Sequence, residues 1–378
     1  MKILREGRTS NKYGMYGAGG TNRTTQLEEF LRDRCNVSEI IDVDFASKTS
    51  LIQRIKAVFV LLIKHKFKIK ASKWLIMWSA HSYCQYATCF RENLDASFFL
   101  LEEPPSFIAY HAAKDFGLKI ILGVHNLETM VSSYTEDFFL KKPYPFSLFR
   151  EIEYIKKADL VLCISREEQW LLRSFNIESH YFPYTPPKKL NEYYQKIREQ
   201  RLIQNNIDSF YTIVSTIHNP ATLKSLSVQL DELNQINKQI TSFKVLLIGY
   251  GLEIHKIELE KKYSFLVVEG TVDSFRMEQI LQYTKAVLIY QNEGVGAITK
   301  IPEYLIAGIP IIANTHAARS AYNFEGLMAY DVSSELKDLI LRSSFPVFKT
   351  PMISEKLLEY ISKRVLEISE INIQNKIS

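Results

Sequence analysis

The residues best suited to chemistry lie between Gly294 and Glu303, where the chain reads Gly-x-Gly-x-x-x-Lys-x-x-Glu. A glycine loop that runs into a helix start presents free backbone N–H groups and the positive end of the helix dipole, which suits a phosphate. Lys300 adds a cation for a diphosphate, and Glu303 can accept two hydrogen bonds from a ribose diol. The pattern therefore predicts a nucleotide site with the candidate residues Gly294, Val295, Gly296, Thr299, Lys300 and Glu303.

The elements that must position this site are a strand, a loop, a helix and a second strand. Ala286–Tyr290 is an apolar run of buried-strand character, and the apolar spacing within 298–306 predicts a helix. Gly308 and Pro310 end that helix, and a second strand is predicted over Ile309–Ala313. Gly-x-Gly alone would also fit an ordinary turn of a buried βαβ unit, but the full order of residues favours nucleotide binding.

This order, continued by Ala307-Gly308-x-Pro310, resembles the donor-site signature of retaining GT-B glycosyltransferases similar to glycosyltransferase family four. The resemblance implies an α/β fold, GT-B, with two Rossmann-like parallel-sheet domains facing across a cleft. It implies retaining transfer of a hexose-type sugar from a UDP- or GDP-type nucleotide sugar to a glycan or lipid-linked acceptor, in cell-surface polysaccharide assembly. The donor is then a substrate and not a cofactor, no metal is required, and a donor phosphate oxygen takes the acceptor's proton.

The bulk composition predicts a globular chain of two domains. Its 378 residues are too many for one ordinary core. The proline-rich segment Tyr181–Lys189 is the predicted linker, so we expect an amino-terminal acceptor-side domain at 1–190 and a nucleotide-sugar domain at 191–353. The resemblance implies that the terminal helix, within 354–378, packs back on the first domain. A net charge of +5 is a mild excess and does not indicate a nucleic-acid partner.

The four scattered cysteines, with no Cys-x-x-Cys among them, indicate neither a disulfide framework nor a zinc site. A reducing compartment fits them best. The first residues lack the apolar region of a signal peptide, and the longest apolar run, Ala57–Ile63, is far shorter than the roughly 20 residues of a membrane-spanning helix. We therefore expect a cytoplasmic protein, with peripheral attachment to the inner face of the membrane as an option.

Apolar strand-like runs alternate with helical patterns along nearly the whole chain, which favours parallel sheets flanked by helices. The predicted strands of the first half are Met1–Leu4, Trp74–Trp78, Ser97–Leu101, Lys119–Val124 and Ala158–Ser165. Those at the start of the second half are Tyr211–Ser215, Phe243–Gly249 and Ser264–Val268.

Further donor-site candidates lie in loops that follow predicted strands. Gly19 and Gly20 belong to a glycine-rich loop before a helix near Thr24–Leu31, and such a loop can let a ligand approach the backbone closely. A flexible turn is an equal alternative there. The resemblance implies contacts with the donor or acceptor at these glycines. It also implies donor contacts at Gly249 and at Val272, whose loop would hold the nucleobase through main-chain atoms.

His125 follows a predicted strand and would lie at its carboxyl end, where open α/β sheets bind their ligands. A lone histidine is more often structural, but the resemblance implies that this one contacts the transferred sugar. His125, Lys300 and Glu293 form the candidate catalytic set.

Two departures from the family pattern bear on activity. Many relatives carry an acid eight residues before the position of Glu303, where this chain has Val295, and Glu293 is the substitute that we consider. Many relatives also carry an Arg and a Lys after the first strand of the second domain, and this chain has neither within 215–220. Arg319 is a candidate for the second phosphate contact.

The segment Ser50–Trp74 reads as a helix with a basic end, and its residues 54–73 interleave basic with aromatic side chains. Such a helix can dock on an anionic membrane surface, although a core helix with a solvated charged end is an alternative. Two other functions stay open on the same fold. One is a catalytically silent GT-B partner or regulatory protein. The other is a sugar-nucleotide epimerase, which a second acid/base pair near His125 would favour. DNA binding is disfavoured because no helix-turn-helix is apparent.

Overall fold

The computed structural model describes residues 1–6, 19–43, 45, 48–65, 73–102, 107–130, 148–203, 210–216, 220–240, 243–294 and 296–377. The chain divides into two compact units. The first unit comprises Met1–Tyr184 together with Ile353–Ser378, and the second comprises Thr185–Met352.

Within the described residues, each unit is built on a six-stranded sheet whose neighbouring strands are all parallel. The strands of the first unit are β1 Lys2–Arg5, β2 Glu39–Asp42, β3 Phe98–Leu101, β4 Lys119–Val124, β5 Leu160–Cys163 and β6 His180–Tyr181. Those of the second unit are β7 Phe210–Val214, β8 Lys244–Ile248, β9 Leu266–Gly270, β10 Ala286–Ile289, β11 Ile311–Asn314 and β12 Leu327–Tyr330. The spatial orders are β2-β1-β3-β4-β5-β6 and β12-β11-β10-β7-β8-β9.

Helices connect the strands in both units. In chain order they are α1 Gly19–Arg34, α2 Leu51–Phe59, α3 Lys73–Glu92, α4 Phe107–Asp115, α5 Leu148–Ile155, α6 Arg166–Ser174, α7 Lys188–Ile203, α8 Pro220–Asn237, α9 Lys256–Lys262, α10 Ser274–Tyr283, α11 Lys300–Ile306, α12 Thr315–Ala318, α13 Ser333–Leu341 and α14 Glu355–Ile377. Short 3-10 turns lie at Glu128–Met130, Leu252–His255 and Arg319–Ala321, and a π-helical turn at Val60–Lys64.

Central strands such as β3 and β4 form because their sequences are nearly continuous apolar runs, as expected when helices cover both faces of a parallel sheet. All four residues of β3 are buried, and so are all residues of β4 except the first. With one exception the predicted strands are confirmed within a few residues of their expected bounds, and Lys119–Val124 matches at both ends.

The exception is Trp74–Trp78, which belongs to α3 and not to a strand. This short apolar run continues into a helical pattern in which Ala80, Tyr83 and Ala87 are buried at spacings of three and four residues. A short apolar run cannot be assigned from its own period, and the pattern that follows it decides the structure.

Gly19 and Gly20, predicted to lie in a glycine-rich loop, instead lie in the first turn of α1. Residues 7–18, which include the earlier glycines of that motif, lie outside the described residues. Of the basic helix predicted over Ser50–Trp74, residues 66–72 lie outside the described residues, and 73–74 belong to α3. The described first part is helical. It begins with a capping box between Ser50 and Gln53, becomes α2, and ends in the π-helical turn at Lys64.

The terminal helix α14 packs on the first unit, against α1 and β4. Ile361 and Val365 of this helix are fully buried and join the same core cluster as Ile3 and Leu27. The first unit thus includes a segment that follows the second unit in the sequence.

Candidate functional site

The loop after β10 is tied to the end of β11 by an asparagine side chain. The amide of Asn314 accepts from the Gln291 backbone N–H at 3.0 Å and donates to the Gln291 carbonyl at 2.8 Å. The next backbone N–H, of Asn292, donates to Ser225 Oγ of α8 at 3.3 Å. In the second sheet β10 and β7 are neighbours although they are distant in sequence, so this loop leaves the sheet at its switch point.

Arg319 holds the rest of this loop in shape. Its guanidinium donates to Gln291 Oε1 at 2.8 Å, to the Gly296 carbonyl at 2.8 Å and to the Gly294 carbonyl at 3.4 Å. The sequence suggested Arg319 as a phosphate contact, and the structure shows it bound to the loop itself. Both glycines have positive φ, 124° and 76°, which side chains rarely adopt. Val295, between them, lies outside the described residues.

Lys300 and Glu303 form an ion pair, with 3.4 Å between Nζ and Oε2. The Lys300 side chain is 44% exposed, whereas that of Glu303 is 1% exposed. The charge of Glu303 is the main cause that raises the pKa of Lys300, against the opposing effect of desolvation, so the ammonium group is charged at neutral pH. The Tyr194 hydroxyl of α7 donates to the same Glu303 oxygen at 3.1 Å. The buried Glu303 carboxylate therefore fixes the Lys300 ammonium group, which is itself partly exposed to solvent.

The helix that begins at Lys300 has only seven residues, and the preceding Thr299 makes no side-chain cap. Because a macrodipole is the sum of aligned peptide dipoles, so short a helix offers an anion less than the ammonium group does. The full charge of Lys300 is consequently the main anion-attracting feature at this loop.

Glu293 is paired with a lysine of α8. Lys224 donates to Glu293 Oε1, and the two side chains are 62% and 42% exposed. Exposed ion pairs of this kind contribute about 0–1 kcal/mol. Glu293 is the acid that the sequence analysis considered as a catalytic substitute. Lys224 is the lysine that follows 215–220, where many relatives carry an Arg and a Lys.

Gly249 and Val272 lie at the carboxyl ends of β8 and β9, on the same sheet edge as the loop after β10. Gly249 has φ of 142°, and a Cβ there would lie 1.7 Å from the Ser215 carbonyl oxygen, so the strand ends approach too closely for any side chain. Its N–H donates to the Gly270 carbonyl at 2.7 Å. Val272 is half-buried against the apolar cluster that includes Ile280.

His125 directly follows β4 in the first unit, and a buried carboxylate holds its ring. Glu102 Oε2 lies 2.8 Å from His125 Nε2 and also accepts a hydrogen bond from Thr24 Oγ1 of α1. The segment after His125 is anchored in the same way. Glu168 accepts from the Leu127 N–H at 3.0 Å.

Glu102 was missed by sequence reasoning, although one signal was present. It directly follows the fully buried β3, so it lies at the carboxyl edge of the sheet, next to the strand that ends before His125. Arg23 of α1 is fully buried in this region, and burial lowers its pKa to about 10, while the charge of Glu102 opposes that shift. Gly19 and Gly20 begin the same helix, and the Gly20 carbonyl, 3.1 Å from Thr24 Oγ1, shares the one hydrogen of that hydroxyl with Glu102.

In the described part of the chain, no three His, Cys, Asp or Glu side chains are grouped so that they could hold a metal ion. The four cysteines are buried and are present as thiols rather than as disulfides. Among the helices described, none has both the length and the apolar character needed to span a bilayer.

No protein-family model matches the chain, and no curated protein matches its sequence. Solved structures do resemble it over nearly its whole length. HepE from Anabaena, in complex with UDP, has a TM-score of 0.55 at 13% identity, with 99% of this chain and 94% of that chain covered. Sucrose-phosphate synthase from Thermosynechococcus elongatus has a TM-score of 0.57 at 14% identity, covering 98% and 94%. A glycosyltransferase from Rickettsia africae has a TM-score of 0.53 at 15% identity, covering 98% and 93%.

These similarities show the fold. The chain has the GT-B fold of glycosyltransferases, with two Rossmann-like units that each carry a parallel sheet, and the fold class expected from the sequence is confirmed.

Proposed function

We propose that this chain is a retaining glycosyltransferase that moves a hexose-type sugar from a UDP- or GDP-type nucleotide sugar to a glycan or lipid-linked acceptor. The observation that carries the proposal is the partly exposed ammonium group of Lys300, fixed by a buried carboxylate beside a glycine loop at the switch point of a parallel sheet. The fold supports it, since HepE, similar in structure with a TM-score of 0.52 at 14% identity, was also crystallised in complex with UDP-glucose.

In this proposal the donor's diphosphate contacts Lys300 and the backbone of the loop that contains Gly294 and Gly296, with Thr299 beside it. The base lies near Val272, and Gly249 lies beside the donor at the same edge of the sheet. Breaking the bond between the anomeric carbon and the diphosphate oxygen leaves negative charge on the diphosphate. A fixed cation stabilises that charge without reorganisation.

Three side chains have further proposed roles. His125 contacts the transferred sugar, and Glu293 takes the place of the family's acid near the donor. Glu303 orients Lys300 through the 3.4 Å ion pair, and a ribose contact by the same carboxylate would require exposure greater than its present 1%. The acceptor's proton passes to a donor phosphate oxygen, so retention needs no protein base and no metal.

A catalytically silent GT-B partner protein is the second candidate, and specific contacts favour it. Arg319 is bound to loop carbonyls, and Lys224 is paired with Glu293. Arg319 and Lys224 are cations that could have completed a diphosphate clamp beside Lys300. A protein with this arrangement could bind a donor and turn it over slowly or not at all.

A thermal-shift screen across UDP- and GDP-sugars, followed by measurement of nucleoside diphosphate release, distinguishes an active transferase from a catalytically silent partner protein. A transferase shows a higher melting temperature with its donor and releases the diphosphate when an acceptor is added. Stabilisation without release supports the silent partner. Unchanged melting temperatures with every nucleotide sugar at millimolar concentration would contradict both.

We further propose that residues 54–73, together with the start of α2, bind an anionic membrane surface, which would place the protein on the cytoplasmic face of a membrane. Between Asp44 and Glu92 the sequence has no acidic residue and nine Lys or Arg residues. The structure adds an exposed apolar stripe at helical spacing on α2 and the π-helical turn. Its members and their exposed fractions are Leu51 65%, Ile52 68%, Ile55 45%, Phe59 59%, Leu62 42% and Ile63 71%.

Co-sedimentation with lipid vesicles tests this attachment. The wild type should bind vesicles that contain phosphatidylglycerol and not vesicles of phosphatidylcholine alone, because each basic residue near an anionic surface contributes about 1 kcal/mol. Changing Ile52, Phe59 and Ile63 together to Ser should abolish the binding. The same change at Ile257 and Val347, which are 85% and 82% exposed in the second unit, is the matched control. Equal binding by all variants would refute the proposal.

A further inference from the structure

We infer that Glu102 is a positioning residue for His125: it fixes which ring nitrogen carries the proton and how the imidazole is turned. This inference rests on the proposed function, in which His125 contacts the transferred sugar. The geometry is a 2.8 Å contact between His125 Nε2 and Glu102 Oε2, with side chains that are 12% and 5% exposed. A carboxylate only accepts hydrogen bonds, so the bond places a proton on Nε2.

The carboxylate is itself held from a third element. Thr24 Oγ1 of α1 donates to the same oxygen, Glu102 Oε2, that contacts His125. Thr24 is completely buried, and Glu102 is 4% exposed. Thr24, Glu102 and His125 thus form a buried chain that runs from α1, past the end of β3, to the end of β4.

The charge of this carboxylate has a countercharge nearby. Arg23, the neighbour of Thr24 on α1, is fully buried, and the negative charge of Glu102 stabilises its protonated form. Removing one of two opposite buried charges is costly, because the remaining charge is left desolvated and without its countercharge. Glu102 is therefore anchored both by a hydroxyl group and by electrostatic attraction to the same helix.

A ring held in this way meets a sugar hydroxyl in one orientation. Loss of the carboxylate removes the acceptor that selects a proton on Nε2, so part of the neutral imidazole population can carry its proton on Nδ1 instead. The loss should appear mainly in kcat, since orientation of a reacting-centre contact matters most in the transition state.

The first unit contains a matched control pair. His65 Nε2 lies 2.8 Å from Asp115 Oδ2, and both side chains are 7% exposed. Asp115 also accepts from a hydroxyl group, that of Tyr83, at 2.5 Å. This pair resembles Glu102 and His125, with Lys64 as an additional partner of Asp115 at 2.5 Å. Asp115 ends α4 just before β4 begins, and His125 follows the other end of that strand.

The experiment compares Glu102→Gln, Thr24→Val and Asp115→Asn in the full chain. Two readouts are taken: the nitrogen shifts of the His125 ring by long-range ¹H–¹⁵N NMR, assigned with His125→Asn, and the kinetics of sugar transfer. Glu102→Gln should change the His125 nitrogen shifts and lower kcat about 10- to 100-fold, the loss expected for a hydrogen bond to a charged group, with little change in KM. Asp115→Asn should leave both readouts of His125 unchanged.

Thr24→Val removes one hydrogen bond to Glu102 but keeps the negative charge that stabilises Arg23. It therefore tests the positioning even if Glu102→Gln fails to fold. It should produce a smaller change in the same direction in both readouts. Unchanged His125 nitrogen shifts in both variants would overturn the inference, and so would an equal loss of kcat in Asp115→Asn. If the wild type transfers no sugar but the nitrogen shifts respond as expected, the positioning is supported, and the proposed function alone has failed.

Discussion

Replacement of Lys300 by Met is the change that bears most directly on the donor site. Met keeps most of the length of the side chain and removes its charge. A hydrogen bond from a charged donor contributes about 1.5–3 kcal/mol, and because Lys300 is 44% exposed we expect the lower part of that range. At 1.4 kcal/mol for each factor of ten, the Kd for UDP should rise about 10- to 30-fold.

Calorimetric titration of UDP, or of GDP if the donor screen favours it, measures this change. The control is Lys244→Met, which removes an exposed lysine from the first residue of β8, at the opposite edge of the same sheet. The control should bind with the affinity of the wild type. Melting temperatures of the free variants establish that each is folded, since Lys300→Met leaves the buried Glu303 with one fewer partner. An unchanged Kd in folded Lys300→Met would refute the assignment of this lysine to the diphosphate.

Three further predictions concern stability. Gly249→Ala should lower the melting temperature sharply, because the new Cβ would lie 1.7 Å from the Ser215 oxygen. The control is Gly117→Ala, where φ is 66° and a Cβ has no neighbour within 4 Å, so only about 1 kcal/mol of backbone strain is expected. Similar melting temperatures of the two variants would contradict this prediction. Arg201→Met should reduce the free energy of unfolding by about 3 kcal/mol or more in urea titration, because a buried guanidinium donates to the carbonyls of Leu281, Gln282 and Thr284 at 2.8–2.9 Å. The exposed Arg342→Met should have little effect. Burial, followed by the charges of His65 and Lys157, lowers the pKa of His111 to about 3, so the unfolded chain binds the extra proton, and stability is lost as pH falls from about 6.5 towards 3. His111→Asn should remove up to about 1.4 kcal/mol per pH unit of that slope, and an unchanged slope would show that His111 does not contribute.

The strands could be predicted because burial on both faces of a parallel sheet leaves a direct record in the sequence. The run Phe98–Leu101 is apolar at every position, and no other element type fits it between its flanking helices. Trp74–Trp78 shows the limit of this rule. Its composition is that of a buried strand, but it lies in a helix that buries residues as far along as Phe90.

The candidate site could be predicted only where it is local. Gly294, Lys300 and Glu303 lie within one loop and one helix, so their spacing carries information. Their partners are distant in sequence: Tyr194 approaches Glu303 from another helix, and Arg319 reaches back to the loop from beyond β11. Such contacts depend on tertiary packing, and their residue types alone do not distinguish them from surface residues. Glu102 and its contact with His125 were missed for the same reason.

Hydrogen exchange with and without UDP tests the central claim most directly, because that claim concerns one loop and the helix start that follows it. If the loop after β10 and the first residues of α11 hold the diphosphate, the backbone amides of Gly296 and of 299–301 should exchange more slowly when UDP is bound. Amides at the opposite edge of the sheet, around Lys244, should be unaffected. Protection confined to other parts of the chain, with none at 290–302 under saturating UDP, would contradict the account.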